Sequence, residues 1–92
     1  LPTPLLEAAT RHADAEVVKA ALTFAAGRIE GVKLAVQHLS HPRWDVRVAA
    51  ARTLAIAGGR ETLIPLHAAL ERETDALTRE LMIASAATLA ER

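Results

Sequence analysis

Trp44-Asp45-Val46-Arg47-Val48-Ala49-Ala50-Ala51-Arg52-Thr53-Leu54, closed four residues later by Gly58-Gly59, is the stretch on which the fold turns. Val46, Ala50, Leu54 and Ala57 recur every three or four positions, the spacing of one helix face and not the alternation of a strand. The same periodicity continues on both sides. Val17, Val18, Ala21, Leu22 and Ala25 form one apolar stripe upstream, and Ile29, Val32, Val36 and Leu39 form the next. Extending it along the chain predicts six helices, at roughly 3–11, 14–26, 29–39, 43–57, 61–72 and 75–90.

Those helices repeat in pairs. Val32, Ala35 and Leu39 match Leu63, Leu66 and Leu70 at an offset of 31. Val17, Ala21 and Ala25 match Val46, Ala50 and Leu54 at 29, and Asp14, Asp45 and Asp75 are spaced by 31 and 30. Pro4-Leu5-Leu6 and Pro65-Leu66-His67 stand 61 residues apart, two units of the same length. A period near 30 made of two helices marks a solenoid, in which each unit buries its apolar stripe only against its neighbours.

The punctuation fits. Gly27 and Gly58-Gly59 stand at predicted helix ends, where a residue tolerant of positive φ is expected. Asp14, Thr74 and Asp75 stand at N-cap positions, and Pro42 and Pro65 are expected in first turns. Links of two to four residues make consecutive helices antiparallel.

The 44–54 run resembles the Val-Arg-x-Ala-Ala-x-x-x-Leu signature of HEAT-like repeats, especially the short bacterial form found in phycocyanobilin-lyase-type proteins. Thr62-Leu63-Ile64-Pro65-Leu66 through Leu70 resembles the second helix of that unit, and flanking segments match in part. The last helix departs, with Met82, Ile83 and Ala86 where Ala and Leu are usual. The resemblance implies an all-α solenoid of about three HEAT-like helix pairs. It also implies an Asp/Arg ladder between repeats, carried here by Asp45, Arg47 and Asp75, with Lys19 or Arg79 as looser equivalents. The Arg and Asp positions support that role independently, since an Asp beside a helix start caps it and an Arg one turn on can pair with an acid. HEAT-like hydroxylases that bind di-iron present His-Glu motifs, and this chain has none.

Composition narrows the function. Ala and Leu number 21 and 13, aromatics only Phe24 and Trp44, which is helical material with little for a strand. Eleven basic residues balance eleven acidic ones, so no general field draws in nucleic acid or an anionic membrane. The absence of Cys removes disulfides and thiolate metal sites, and no apolar run approaches the ~18–20 residues of a membrane span. No signal peptide is visible, and the cytoplasm is the expected compartment. The opening Leu1-Pro2-Thr3-Pro4 reads as chain interior, so residues 1–92 are expected to be one domain of a longer protein. Nine Arg against two Lys fit a high-GC bacterial source.

Chemistry-bearing residues are sparse. Of the four histidines, His38 and His41 stand three apart, but Pro42 starts a new element, so a shared face does not follow. Ser40 and Ser85 lie outside any nucleophile motif, and Gly58-Gly59-Arg60 is too short for a phosphate loop. Glu71, Glu73 and Asp75 beside Arg72 and Arg79 suggest a solvated ion-pair network in a turn. Arg43, Arg47 and Arg52 share one helix, the arrangement by which some solenoids grip DNA, although acids are interspersed. Trp44 is expected to pack at a repeat junction. No cofactor, metal or enzymatic activity is expected.

What remains is surface. The second helix of each pair lines the concave side of such a solenoid, where helical phase exposes Glu30, Lys33 and Gln37, then Glu61, Ile64, Ala68 and Glu71. Lys33, Gln37, Ile64 and Glu71 are the candidate partner contacts, and the mixed row suits a protein or peptide. The expected function is a non-enzymatic interaction or scaffold module. The alternatives are a nucleic-acid-binding solenoid and an accessory protein related to the bilin lyases. In the last helix Leu77, Leu81 and Leu89 are expected to share the buried phase. Met82 and Ile83 are displaced from it, and with Leu1, Leu5 and Leu6 they suggest ends that meet a further repeat of a longer chain or, by self-association, another copy of this one.

Overall fold

The computed structural model describes Glu16, Val18, Lys19, Leu22 and residues 29–92. Within these lie four α-helices: α1 (Ile29–His38), α2 (Trp44–Ala57), α3 (Leu63–Arg72) and α4 (Ala76–Ala90). A 3-10 turn, Arg60–Thr62, leads into α3. Glu16, Val18, Lys19 and Leu22 are also helical, and no strand occurs among the described residues. The remainder of the expected 3–11 and 14–26 helices, with Leu1, Leu5, Leu6, Asp14 and Gly27, lies outside the described residues.

Helix α2 occupies the middle, with α1 packed on one side and α4 on the other, while α3 packs on α4. It therefore buries two faces: Val46, Ala50, Thr53 and Leu54 on one, Val48 and Ala51 on the other. Alanine at the contact positions lets the flanking helices approach closely. One core runs through the stack, joining Val18 and Leu22 to Leu34, Ala35, Val46, Leu54, Leu66, Met82 and Leu89. Leu54, Leu66 and Leu89 are fully buried, each stabilising the fold by about 1.5–3 kcal/mol relative to exposure. The buried Thr53 hydroxyl donates to the Ala49 carbonyl at 2.9 Å and to that of Leu22 at 3.3 Å, so it enters the core satisfied.

Gly58 follows a different rule from the one expected. Its φ and ψ are −79° and 155°, extended and open to any residue, and Gly59 is extended as well. Glycine is needed at 58 for close approach, because a Cβ there would sit 2.7 Å from the Leu54 carbonyl oxygen and 2.8 Å from Thr62 Oγ1. The Gly58 N–H closes α2 by donating to Leu54 O at 2.7 Å. The last carbonyls of α2 also accept from a distant residue: the Arg92 guanidinium donates to Ala55, Ile56 and Gly58 oxygens. Arg79 does the same for α3, with Nη1 2.6 Å from Leu70 O.

Asp75 is the N-cap of α4, its Oδ2 accepting from Thr78 N at 2.8 Å and Thr78 Oγ1 at 2.7 Å. Helix α2 has no side-chain cap: Asp45 lies inside the first turn, Arg43 is the N-cap residue, and Pro42 precedes the helix. The expected phase of α4 is corrected. Its buried stripe is Thr78, Met82, Ser85, Ala86 and Leu89, while Leu77 and Ile83 are 58% and 49% exposed. Small side chains let α4 lie close on alanine-rich α2, and Thr78 can be buried because Asp75 accepts its hydroxyl. Leu77 is consequently turned to the flank. Trp44, expected at a repeat junction, is only half covered. It shares the phase of Val48 and Ala51 but stands a turn before them.

Candidate functional site

The solvent faces of α1 and α3 come from the same phase logic as their cores. In α1, Leu34 and Ala35 are buried while Lys33 and Gln37 are exposed. In α3, Leu66 and Ala69 are buried while Ile64, Ala68 and Glu71 are exposed, with Glu61 exposed just before them. The Glu30 side chain lies outside the described residues. Ile64 is 77% exposed, an apolar β-branched residue held almost entirely in water.

At the ends of these two helices lies a polar cleft. The loop after α1 and the turn after α3 face each other, and Arg47 from the first turn of α2 reaches between them. Its Nε donates to Glu73 Oε1 at 2.7 Å and its Nη2 to Oε2 at 3.0 Å. Its Nη1 donates to the carbonyls of His41 and Pro42 at 2.9 and 3.0 Å. The bidentate fork is the geometry that arginine offers a carboxylate and lysine does not. The Glu73 side chain is only 2% exposed. Hydrogen bonding from Arg47 holds its carboxyl below the usual glutamate range, against the opposing push of burial, and the Asp75 N–H adds a third donor at 3.1 Å.

The acid that Arg47 meets is thus Glu73, and Asp75 spends its carboxylate on Thr78, whose hydrogen bonds hold it below the usual aspartate range. Asp45 accepts from Lys19 Nζ at 2.9 Å and from Arg43 Nη2 at 2.8 Å. The Lys19 bond is the main reason its carboxyl is held low, and the same contact raises Lys19. Lys19 also pairs with Glu16. The turn is therefore no solvated network of Glu73 with Arg72 and Arg79: Glu73 crosses to another helix, and Arg79 caps α3. The repeat register gave no hint, because an offset of 30 aligns Glu73 with Arg43. Of the three arginines expected on α2, Arg43 at its N-cap and Arg47 in its first turn are engaged by acids, and Arg52 is exposed.

His38 and His41, whose spacing alone did not require them to meet, stack with ring centroids 6.0 Å apart. His41 Nδ1 accepts from the Arg43 N–H at 3.1 Å, which leaves its Nε2 to carry the proton. Burial, followed by the charges of His38, Arg43 and Arg47, pushes its pKa below the usual histidine value. His38 Nδ1 lies 2.8 Å from Leu34 O, His67 is exposed, and His12 lies outside the described residues. No group of three candidate metal ligands occurs among the described residues.

Leu39, Ser40, His41, Pro42, Arg47, Ala69, Arg72, Glu73 and Thr74 enclose a cleft of about 250 Å3. Ser40 and His41 both line it, yet no hydrogen bond joins them among the described residues, and Glu73 is committed to Arg47. The chain of nucleophile, base and orienting acid required for acyl transfer is not assembled there. The arrangement offers binding groups: one exposed guanidinium, two hydroxyls and an imidazole N–H. Sequence reading missed Glu73, Arg72, Ser40 and Thr74 as neighbours, since only the fold brings residue 40 to residue 73. No helix among the described residues is long and apolar enough to cross a membrane.

The family model for HEAT repeats matches residues 2–87. Neither the curated proteins nor the solved structures yield a match.

Proposed function

Because the chain belongs to the HEAT-repeat family, we propose that it is a non-enzymatic protein-interaction module, one domain over residues 1–92, that engages its partner through the exposed row of α1 and α3. HEAT repeats are commonly interaction scaffolds, and the row supplies the contact. The observation that carries the reading is Ile64. At 77% it is the most exposed large hydrophobic among the described residues, and it stands on a helix whose opposite face is core, which suits it to act as an apolar anchor in a contact. Lys33 and Glu71 give the row charges of both signs and Gln37 a neutral polar group, the composition of a protein contact and not of a polyanion grip. Arg43 and Arg47 give less support to a nucleic-acid reading, since each is already paired with an acid.

Photo-crosslinking tests the proposal. A photoreactive residue at Gln37 or Ile64 should trap a protein partner in cells of the source organism, whereas one at Ala84 on the far face of α4 should not. Crosslinks confined to Ala84, or to nucleic acid, would overturn it.

A further inference from the structure

Every polar group lining the cleft can be assigned by what it already bonds. Four of the five N–H donors of Arg47 are used, two on Glu73 and two on backbone carbonyls. Glu73 accepts from Arg47 twice and from the Asp75 N–H, so the one carboxylate in the lining is neutralised and already holds three hydrogen bonds. The remaining groups are the Arg72 guanidinium, which has no ion-pair or hydrogen-bond partner among the described residues, His41 Nε2–H, and the hydroxyls of Ser40 and Thr74. Two of these can only donate, and the single uncompensated charge is positive. The lining therefore lacks an acceptor with negative charge.

Size agrees with a small acceptor. About 250 Å3 lies at the low end of, or below, the ~300–1,000 Å3 of small-molecule and cofactor sites, and the cleft is open to solvent, so a side chain from another molecule can enter it. Leu39 and Ala69 give the cleft an apolar wall against which methylenes can lie. Gln37 precedes this wall by two residues and Glu71 adjoins Arg72, so the cleft continues the exposed row at its helix C-terminal end.

We propose that the cleft between the Ser40–Pro42 loop and the Arg72–Thr74 turn receives the carboxylate of a glutamate or aspartate side chain from an acidic segment of a protein partner. The proposal rests on the reading of the chain as a protein-interaction module. The carboxylate meets Arg72 in a charge-assisted contact and accepts from His41 Nε2–H, while the Arg47–Glu73 pair forms the fixed wall behind it.

The test is 1H–15N NMR on the whole chain, titrated with an N-acetylated, C-amidated (Gly-Glu)3 peptide and its (Gly-Gln)3 counterpart. The glutamate peptide is expected to shift the amides of Ser40, His41 and Thr74 and the Arg72 Nε–H, and the glutamine peptide to leave them in place. Arg72→Gln, at an exposed position, should weaken the glutamate peptide about tenfold, the change for one charge-assisted pair. Arg60→Gln, exposed in the turn before α3, should change nothing. Equal shifts with both peptides, equal weakening by both variants, or no shift in the cleft would each overturn the proposal. Shifts at Lys33, Gln37 and Ile64 without shifts in the cleft would sink it while leaving the interaction reading intact. Crosslinks absent from the row with the cleft still responding would remove the row as the contact surface and leave the carboxylate assignment of the cleft in place.

Discussion

Replacing Arg47 would strand a carboxylate that has almost no access to water. Glu73 is 2% exposed and would keep only the Asp75 N–H, while the carbonyls of His41 and Pro42 would lose their donor as well. Removing one partner of a buried ion pair costs ~3–5 kcal/mol. Arg47 itself is 18% exposed, so water enters part of the vacated site and the lower end, about 3 kcal/mol, is expected. Arg47→Met is the informative substitution because it retains the apolar stem and removes only the guanidinium. Urea unfolding followed by far-UV circular dichroism gives the loss, and a cycle with Glu73→Gln should give a coupling of about 1.5–3 kcal/mol. The pH dependence has a definite sign. Glu73 titrates in the folded chain below its ordinary 4.5. The stability it gains from Arg47 is therefore complete above that pH and disappears as the pH falls through the lower folded value. The gap between wild type and Arg47→Met should close over the same window. A variant within 0.5 kcal/mol of wild type at pH 7, or a gap that persists unchanged into acid, would refute the reasoning from burial and hydrogen bonding.

Leu54→Ala, at a fully buried position in α2, should lose ~2–4 kcal/mol, and an unchanged melting temperature would mean that the stripe is not core. Gly58→Ala should lower the melting temperature clearly more than Gly59→Ala. A Cβ at 58 meets a backbone carbonyl, whereas at 59 it meets only the movable Glu61 carboxylate; equal effects would remove the close-approach argument. Ile83→Glu should leave the fold intact, since the residue is half exposed. If Ile83 mediates self-association, light scattering across a concentration series will show a species larger than the monomer that this variant abolishes, and a wild-type chain monomeric throughout would dismiss the idea.

The helices were legible because their signal is local. Periodicity at Val46, Ala50 and Leu54, and the acid at 75 ahead of α4, need only neighbours within a turn or two, and the α1, α2, α3 and α4 boundaries fall within two residues of expectation. Phase was less secure wherever a helix carries apolar residues on more than one side. In α4 three leucines outvote Met82 on hydropathy, yet the tight seat on α2 favours Thr78, Ser85 and Ala86, whose small or internally satisfied side chains admit close contact. Glycine was read for its conformational freedom when its lack of a side chain was the property in use. The cleft was illegible for a different reason. Arg47 and Glu73 are 26 residues apart, and no periodic rule connects the loop after one helix to the turn after another two elements on.

The guanidinium of Arg47 is bonded at once to the segment that ends α1 and to the segment that ends α3, which makes it a brace across a joint in the helix stack. A solenoid bends where neighbouring units can slide, and here the sliding coordinate is held by four hydrogen bonds at one edge and by an alanine-lined seat in the middle. On the proposed docking mode, the helices that carry Lys33, Gln37, Ile64 and Glu71 are tied together at their C-terminal ends before any partner arrives. A partner that reads both helices, as proposed, spends little free energy on bending the stack, and one with the wrong pitch cannot recover the mismatch by flexing it.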